Sequence, residues 1–163
     1  FVAILMGSSS DQAVMDRCCS ALKELGVGYE VRILSAHRTP LAAAEYVQDA
    51  TTRGAGVFVA AAGLAAHLAG AVAANTIRPV LGVPMDAGSL GGIDALLSTV
   101  QMPGGTPVAC MAIGGAGAVN AAYFAAEILA VEDKELASVL LAKRAEKREQ
   151  IMAADKKLQA SHD

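Results

Sequence analysis

Short apolar segments that alternate with helical segments constrain the fold of this chain more than any other feature. Residues 1–6 are fully apolar, as expected of a central parallel strand that is covered on both faces. A polar loop follows, and then a helical segment that Gly26 ends. Its apolar residues recur at helical spacing on one face, namely Val14, Cys18, Leu22 and Leu25. A strand, a loop, a helix and a further strand in this order are typical of doubly wound α/β proteins.

The rhythm continues along the chain and predicts a flavodoxin-like three-layer α/β sandwich with a five-stranded parallel sheet. Strands are predicted at 1–6, 29–34, 56–62, 79–83 and 107–113. Later helices are predicted at 40–52, 65–76, 92–101, 118–130 and, capped by Asp133, at about 133–158. Val31 and Ile33 alternate with charged residues, which predicts a half-buried second strand. The chain, residues 1–163, is predicted to be one domain with a core over about 1–131. Its final helix is either solvated or packed on a neighbouring subunit.

Composition narrows the function. A net charge of −3, only 4% aromatic residues and no Trp give no basis for a nucleic-acid partner. The three cysteines are an odd number, and Cys18 and Cys19 are neighbours, which suits neither a disulfide nor a metal site. They are therefore predicted to be reduced, buried thiols in a cytoplasmic protein.

Charge is spread unevenly along the chain. Residues 54–126 carry three charged side chains, whereas the segments before and after them carry 11 and 15. The charge-free stretch 54–77 is long enough to cross a membrane, but its glycines and strand-then-helix pattern favour part of an α/β domain instead. No membrane partner is predicted. A small monomer could hardly bury this much apolar sequence, so we expect an extensive interface between copies of the chain.

The loop at 35–40 carries the clearest chemistry. Thr39 is predicted to cap the next helix, with Pro40 at its first position. His37 and Arg38 then stand at the carboxyl end of a strand, where open α/β sheets bind their ligands. Arg38 offers a permanent charge and a donor fork that suits phosphate, and His37 offers an imidazole for proton transfer. The pair indicates an anionic substrate and a proton to be moved.

The loop after the first strand reads Gly7-Ser8-Ser9-Ser10-Asp11 and leads into a helix, whose free N–H groups favour an anion. Ser8 and Ser10, together with Arg38, are predicted to hold a phosphate. Asp11 is predicted to accept hydrogen bonds from ribose hydroxyls. The alternative is a simple helix cap formed by Ser10 or Asp11. The loop matches neither the GxGxxG dinucleotide motif nor a P-loop.

The loop at 61–70 contains small apolar residues that let a ligand approach the backbone, and His67 is its single titratable residue. A structural, hydrogen-bonded histidine is the alternative to a functional one. The Gly-rich loop at 114–117 is a weaker signal at the same sheet edge. The histidines lack metal-ligand spacing, so no metal is predicted, and His162 is interpreted as tail.

Six blocks of sequence together resemble the 5-(carboxyamino)imidazole ribonucleotide mutase family of bacterial purine biosynthesis. They are Met6-Gly7-Ser8-x-Ser10-Asp11, Ser35-Ala36-His37-Arg38-Thr39-Pro40, Ala65-Ala66-His67-Leu68, Val80-Leu81-Gly82-Val83-Pro84, Val100-Gln101-Met102-Pro103, and Ala116-Gly117 with Asn120-Ala121-Ala122. Their order and spacing follow the family from Val2 to about Leu136, which is most of the chain.

The resemblance implies a flavodoxin-like subunit of a homo-octamer and a mutase that moves a carboxylate from the exocyclic nitrogen of an imidazole ribonucleotide to ring carbon C4. It implies that His37 transfers the proton and that no cofactor is needed. In the family the residues matching Ser8, Asp11 and Arg38 bind the nucleotide, and a second histidine corresponds to His67. Together with the neighbouring loop residues, the predicted substrate-binding residues are Gly7, Ser8, Ser10, Asp11, Ser35, Arg38, Ala65, Ala66, His67 and Leu68. The chain departs from the family at four places. Ala61-Ala62-Gly63-Leu64 replaces Gly-Ala-Gly-Gly, Leu68-Ala69-Gly70 replaces Leu-Pro-Gly, and Gly115 replaces a common lysine. The segment Asp86-Ala87-Gly88-Ser89-Leu90-Gly91-Gly92 is also unusual in detail.

Three alternatives stay open. The related branch that carboxylates aminoimidazole ribonucleotide directly shares the Ser-Ala-His motif, although Ala65-Ala66-His67 favours the mutase. A non-catalytic flavodoxin-like module that binds flavin or another nucleotide lacks support, because the candidate loops contain no aromatic residue. A purely structural oligomer would explain the apolar middle of the chain but not the polar loop at 7–11.

Overall fold

The computed structural model describes residues 1–161, so the interpretation of His162 lies outside the described residues. Within them the sheet has five strands, β1 to β5, at Val2–Met6, Tyr29–Ile33, Val57–Ala62, Val80–Pro84 and Ala109–Cys110. Helices α1 to α6 lie at Gln12–Glu24, Pro40–Thr52, Leu68–Ala73, Ile93–Val100, Gly115–Leu129 and Lys134–Gln159. A single 3-10 turn, Ser9–Asp11, precedes α1.

All neighbouring strands are parallel, in the order β2-β1-β3-β4-β5. This is the flavodoxin-like order, in which the chain turns to opposite sides of β1 and leaves a crevice beyond the carboxyl ends of β1 and β3. The predicted fold and the additional C-terminal helix are confirmed.

The core lies in two layers, one on each face of the sheet. On one face Ile4, Val59 and Leu81 pack against α1 and α5. On the other face Leu5 and Phe58 pack against α2 and α3. β1 is buried along its whole length, as its apolar run predicted, and β4 is also buried along its whole length. This rigid centre fixes the strand ends from which the site loops emerge.

The edge strand β2 differs from the prediction of a half-buried strand. Ile33 is 51% exposed, and Val31 is also exposed. Glu30, on the opposite face, is the more covered residue, because Arg53 donates to it at 2.8 Å and the Tyr46 hydroxyl at 3.2 Å. The alternating pattern identified the strand correctly but not which of its faces the single chain covers.

Three elements, α3, β5 and α5, differ from the prediction by three residues at one end or more. α3 begins at Leu68 rather than 65, because Leu64 has a φ of 56° and the His67 N–H donates to the Ala65 carbonyl in a tight turn. β5 has two residues, since only they pair with β4. α5 begins three residues early, at Gly115.

The C-terminal helix α6 begins as predicted, with Asp133 Oδ1 accepting from the N–H groups of Glu135 and Leu136, both at 3.0 Å. Leu136 and Leu140 are buried in the same core layer as α5. Beyond residue 147 every helical residue is exposed. The first half of α6 therefore packs on its own chain.

No helix within residues 1–161 is long and apolar enough to cross a membrane.

All three cysteines are free. Cys18 is buried, as predicted, and burial raises the pKa of its thiol to about 12. Cys19 and Cys110 are only half-buried, so the prediction of buried thiols is wrong for these two.

Candidate active site

A cavity of about 480 Å³ opens beyond the carboxyl ends of the strands, between the loops that follow β1, β2, β3 and β4. It brings together ten predicted site residues: Gly7, Ser8, Ser10, Asp11, Ser35, His37, Arg38, Ala65, His67 and Leu68. The eleventh, Ala66, is 2% exposed and does not line the cavity. The sequence analysis did not propose the other lining residues, which are Ala36, Ala62, Gly63, Leu64 and Ala87.

The loop after β1 is held by hydrogen bonds among its own hydroxyls. Ser8 caps the 3-10 turn by accepting from the Ser10 N–H at 3.3 Å, and the Oγ atoms of Ser8 and Ser10 lie 2.9 Å apart. The alternative that Ser10 or Asp11 caps the helix is wrong, because Asp11 makes no side-chain cap bond at the start of α1.

Asp11 lies at the inner end of this loop and is 7% exposed. Burial raises the pKa of its carboxyl, while hydrogen bonds from Ser10 and the backbone and the charge of Arg38 partly oppose that rise. Ser10 Oγ lies 3.3 Å from Asp11 Oδ1. A carboxylate in this position can accept further hydrogen bonds from hydroxyl groups in the cavity.

Arg38 connects the loops after β1 and β2. Its Nη2 donates to the Gly7 carbonyl at 2.5 Å, and its Nε donates to Ser35 Oγ at 3.4 Å. The guanidinium is thereby oriented beside the serine loop, where its remaining N–H groups can bind an anion.

Thr39 does not cap α2 as predicted. Its hydroxyl accepts from the Ser35 N–H at 2.8 Å and lies 3.2 Å from the Ser35 carbonyl, so it closes the turn at 35–39. Pro40 is the first residue of α2, as predicted. The closed turn fixes the backbone that carries His37 and Arg38.

His37 and His67 meet in the cavity. His37 Nε2 lies 2.6 Å from His67 Nδ1, and the two rings are nearly perpendicular at 83°. One ring nitrogen donates and the other accepts, so one hydrogen bond joins the two rings. His67 is hydrogen-bonded, as the structural alternative required, but its partner is the predicted acid–base residue.

The remaining wall of the cavity is apolar and tightly packed. It consists of Ala36, Ala62, Ala65 and Ala87 with Gly63 and Leu64. A Cβ on Gly63 would stand 2.8 Å from the Ala87 Cβ, so the loops after β3 and β4 are in close contact. The Gly-rich loop at 114–117 contributes no lining residue and instead starts α5 against Arg17.

A flavodoxin-like sheet with serine hydroxyls, a guanidinium and paired imidazoles beyond its carboxyl edge has the groups expected of an α/β protein that binds an anionic small molecule and moves a proton. Residues 1–150 match the AIR carboxylase family, and the chain belongs to that family. The resemblance drawn from the six sequence blocks is thus confirmed.

Named relatives of this protein match most of its chain. It is 48% identical over 157 residues to the N5-carboxyaminoimidazole ribonucleotide mutase of Bacillus subtilis, which covers 96% of this chain and 97% of the relative. It is 51% identical over 135 residues to the Escherichia coli K12 protein of the same name, covering 83% and 80%. The crystal structure of Treponema denticola PurE matches it with a TM-score of 0.88 at 30% identity, covering 96% and 97%.

Proposed function

We propose that this protein is an N5-carboxyaminoimidazole ribonucleotide mutase, an isomerase of purine (IMP) biosynthesis. It converts 5-(carboxyamino)imidazole ribonucleotide to the C4-carboxylated ribonucleotide. The observation that carries this proposal is the contact between His37 and His67 in the same cavity as Arg38 and the serine loop. The names of the curated relatives support the same activity.

The substrate is bound at its phosphate and ribose. Ser8, Ser10 and Arg38 hold the phosphate, and Asp11 accepts hydrogen bonds from the ribose hydroxyls. Arg38 is already oriented by the Gly7 carbonyl and Ser35, so little conformational freedom is lost when the anion binds. Fixing this end of the nucleotide presents the imidazole ring to His37.

His37 moves one proton in each direction. As the bond between the exocyclic nitrogen and its carboxylate breaks, the nitrogen takes the proton of His37, and carbon dioxide and aminoimidazole ribonucleotide result. Ring carbon C4 then attacks the carbon dioxide. The C4 proton returns to His37, so the enzyme is unchanged at the end. This sequence requires no ATP, metal or biotin.

The carbon dioxide must stay beside the ring between the two steps. The alanine-lined wall of the cavity supports this role, because a small apolar surface excludes water and does not bind the gas covalently.

We further propose that the enzyme works in the cytoplasm as a homo-oligomer, an octamer by the family resemblance. Large apolar side chains left exposed by the single chain support an interface between copies. They include Ile33, Ile77, Leu97 and Val131, of which Ile77 is 100% exposed.

A second candidate is direct carboxylation of aminoimidazole ribonucleotide, which the description of the matching family favours. An ATP-free assay separates the two. One reaction receives the carboxyamino nucleotide, the other aminoimidazole ribonucleotide with bicarbonate, and chromatography measures the C4-carboxylated product. Fast product from the first alone supports the mutase. Product mainly from the second would replace it with the carboxylase, and product from neither would leave a binding module.

A further inference from the structure

Leu64 has an unusual backbone conformation. Its φ of 56° lies in the left-handed region, and among residues 1–161 it is the single non-glycine residue with a positive φ. A leucine in this conformation raises the free energy of the folded state, whereas a glycine adopts it without that cost. In the family pattern that the chain resembles, a glycine stands where this chain has Leu64. Some gain must offset the strain in this chain.

Burial in the core does not supply that gain, because Leu64 is 55% exposed. Its side chain instead reaches from the loop after β3 to the loop after β4. Leu64 Cδ2 stands 2.6 Å from the position that a Cβ on Gly88 would occupy. Leu64 also lines the cavity, next to Gly63 and near Ala87. In the single chain, Leu64 therefore forms part of the apolar rim of the cavity.

We propose that Leu64 retains carbon dioxide in the site during the transfer. This inference rests on the proposed mutase function. The left-handed backbone directs an apolar side chain across the gap between two loops, where a glycine would leave an opening. Leu64 thus determines which fraction of the carbon dioxide is captured by ring carbon C4 and which fraction escapes to solution.

The competing escape reaction is balanced without any further reactant except water. The bond from nitrogen to the carboxylate breaks, the nitrogen gains a proton, and carbon dioxide leaves the cavity. Water hydrates the gas to bicarbonate and returns a proton to solution. The products are aminoimidazole ribonucleotide and bicarbonate in place of the C4 carboxylate.

The test uses substrate labelled with ¹³C in its carboxylate, in buffer that contains unlabelled bicarbonate. Mass spectrometry gives the labelled fraction of the C4-carboxylated product, and chromatography gives the aminoimidazole ribonucleotide released. The wild type is expected to retain most of the label. Glycine and asparagine both tolerate the left-handed backbone. In Leu64→Gly and Leu64→Asn the labelled fraction of the product should therefore fall by at least about twofold.

Two controls separate the apolar boundary from other effects. Leu64→Met keeps an apolar side chain of similar size and should retain the label like the wild type. Leu141→Ala removes an exposed leucine of α6 and should also leave retention unchanged. The thermal midpoint of Leu64→Gly should equal or exceed that of the wild type, because the strain is removed.

Equal label retention in wild type, Leu64→Gly and Leu64→Asn would overturn the inference while leaving the mutase function intact. Complete exchange of the label in the wild type would also overturn it. The same holds if label is lost only in those Leu64 variants whose thermal midpoint falls sharply. No product at all from the wild type would instead remove the proposed function, and this inference with it.

Discussion

His37 Nε2 lies 2.6 Å from His67 Nδ1, so a residue from the loop after β2 and one from the loop after β3 share a hydrogen bond across the cavity. In the proposed mechanism His37 carries the proton. We therefore expect His37→Asn to lower the turnover number by about 10²- to 10⁴-fold while leaving nucleotide affinity largely intact.

Isothermal titration with the product nucleotide measures the affinity, and the ATP-free assay measures the turnover. The exposed Asp16, one helix turn away from the site loop, provides the control variant Asp16→Asn, which should change neither quantity. Retained turnover with lost binding would show that His37 only holds the substrate.

His67 acts through His37 in this arrangement. His67→Leu removes the shared hydrogen bond and should lower the turnover number by about tenfold, with a change in its pH profile and little change in KM. His67→Asn, whose amide can reach the position of Nδ1, should restore much of the loss. Identical pH profiles for wild type and His67→Leu would mean that His67 only fills space.

Asp11 is expected to cost stability in the absence of substrate. Burial raises the pKa of its carboxyl in the folded state. Between about pH 3.8 and this raised pKa, the folded state holds a proton that the unfolded state has released. Stability therefore falls as pH rises from about 3.8 through the folded pKa, and the full cost remains above it. Asp11→Asn should raise the free energy of unfolding at neutral pH and weaken nucleotide binding by about tenfold.

Urea unfolding between pH 3 and 7 checks the sign, since the advantage of Asp11→Asn should grow as the pH rises. An advantage that is independent of pH would assign the effect to packing instead of ionisation.

Adjacent leucines of α6 give a matched pair for the packing of that helix. Leu140 is buried, whereas Leu141 is 69% exposed. Leu140→Ala should lower the free energy of unfolding by about 2 kcal/mol, and Leu141→Ala should change it by less than about 0.5 kcal/mol. Denaturant melts measure both. A larger loss from Leu141→Ala would indicate that the outer face of α6 packs on another subunit.

The sequence predicted those features that depend on local pattern. The bounds of α2, the Asp133 cap and the buried β1 were correct, because periodicity and capping chemistry act within a few residues. The predicted start of α3 was wrong, because nothing in the composition signals a left-handed leucine at position 64. The pairing of His37 with His67 was also missed, because only the strand order places residues 30 positions apart in contact.

The hydrogen bonds of Arg38 have a consequence for how the two ends of a substrate communicate. Arg38 lies beside the proposed anion site and is the chain neighbour of His37, the proposed acid–base residue, and both belong to the turn closed by Thr39. We therefore expect an anion bound by Arg38 to hold the backbone that orients the imidazole of His37. A nucleoside lacking its phosphate should consequently react slowly even at saturation, because energy gained far from the reacting bond is used to align it.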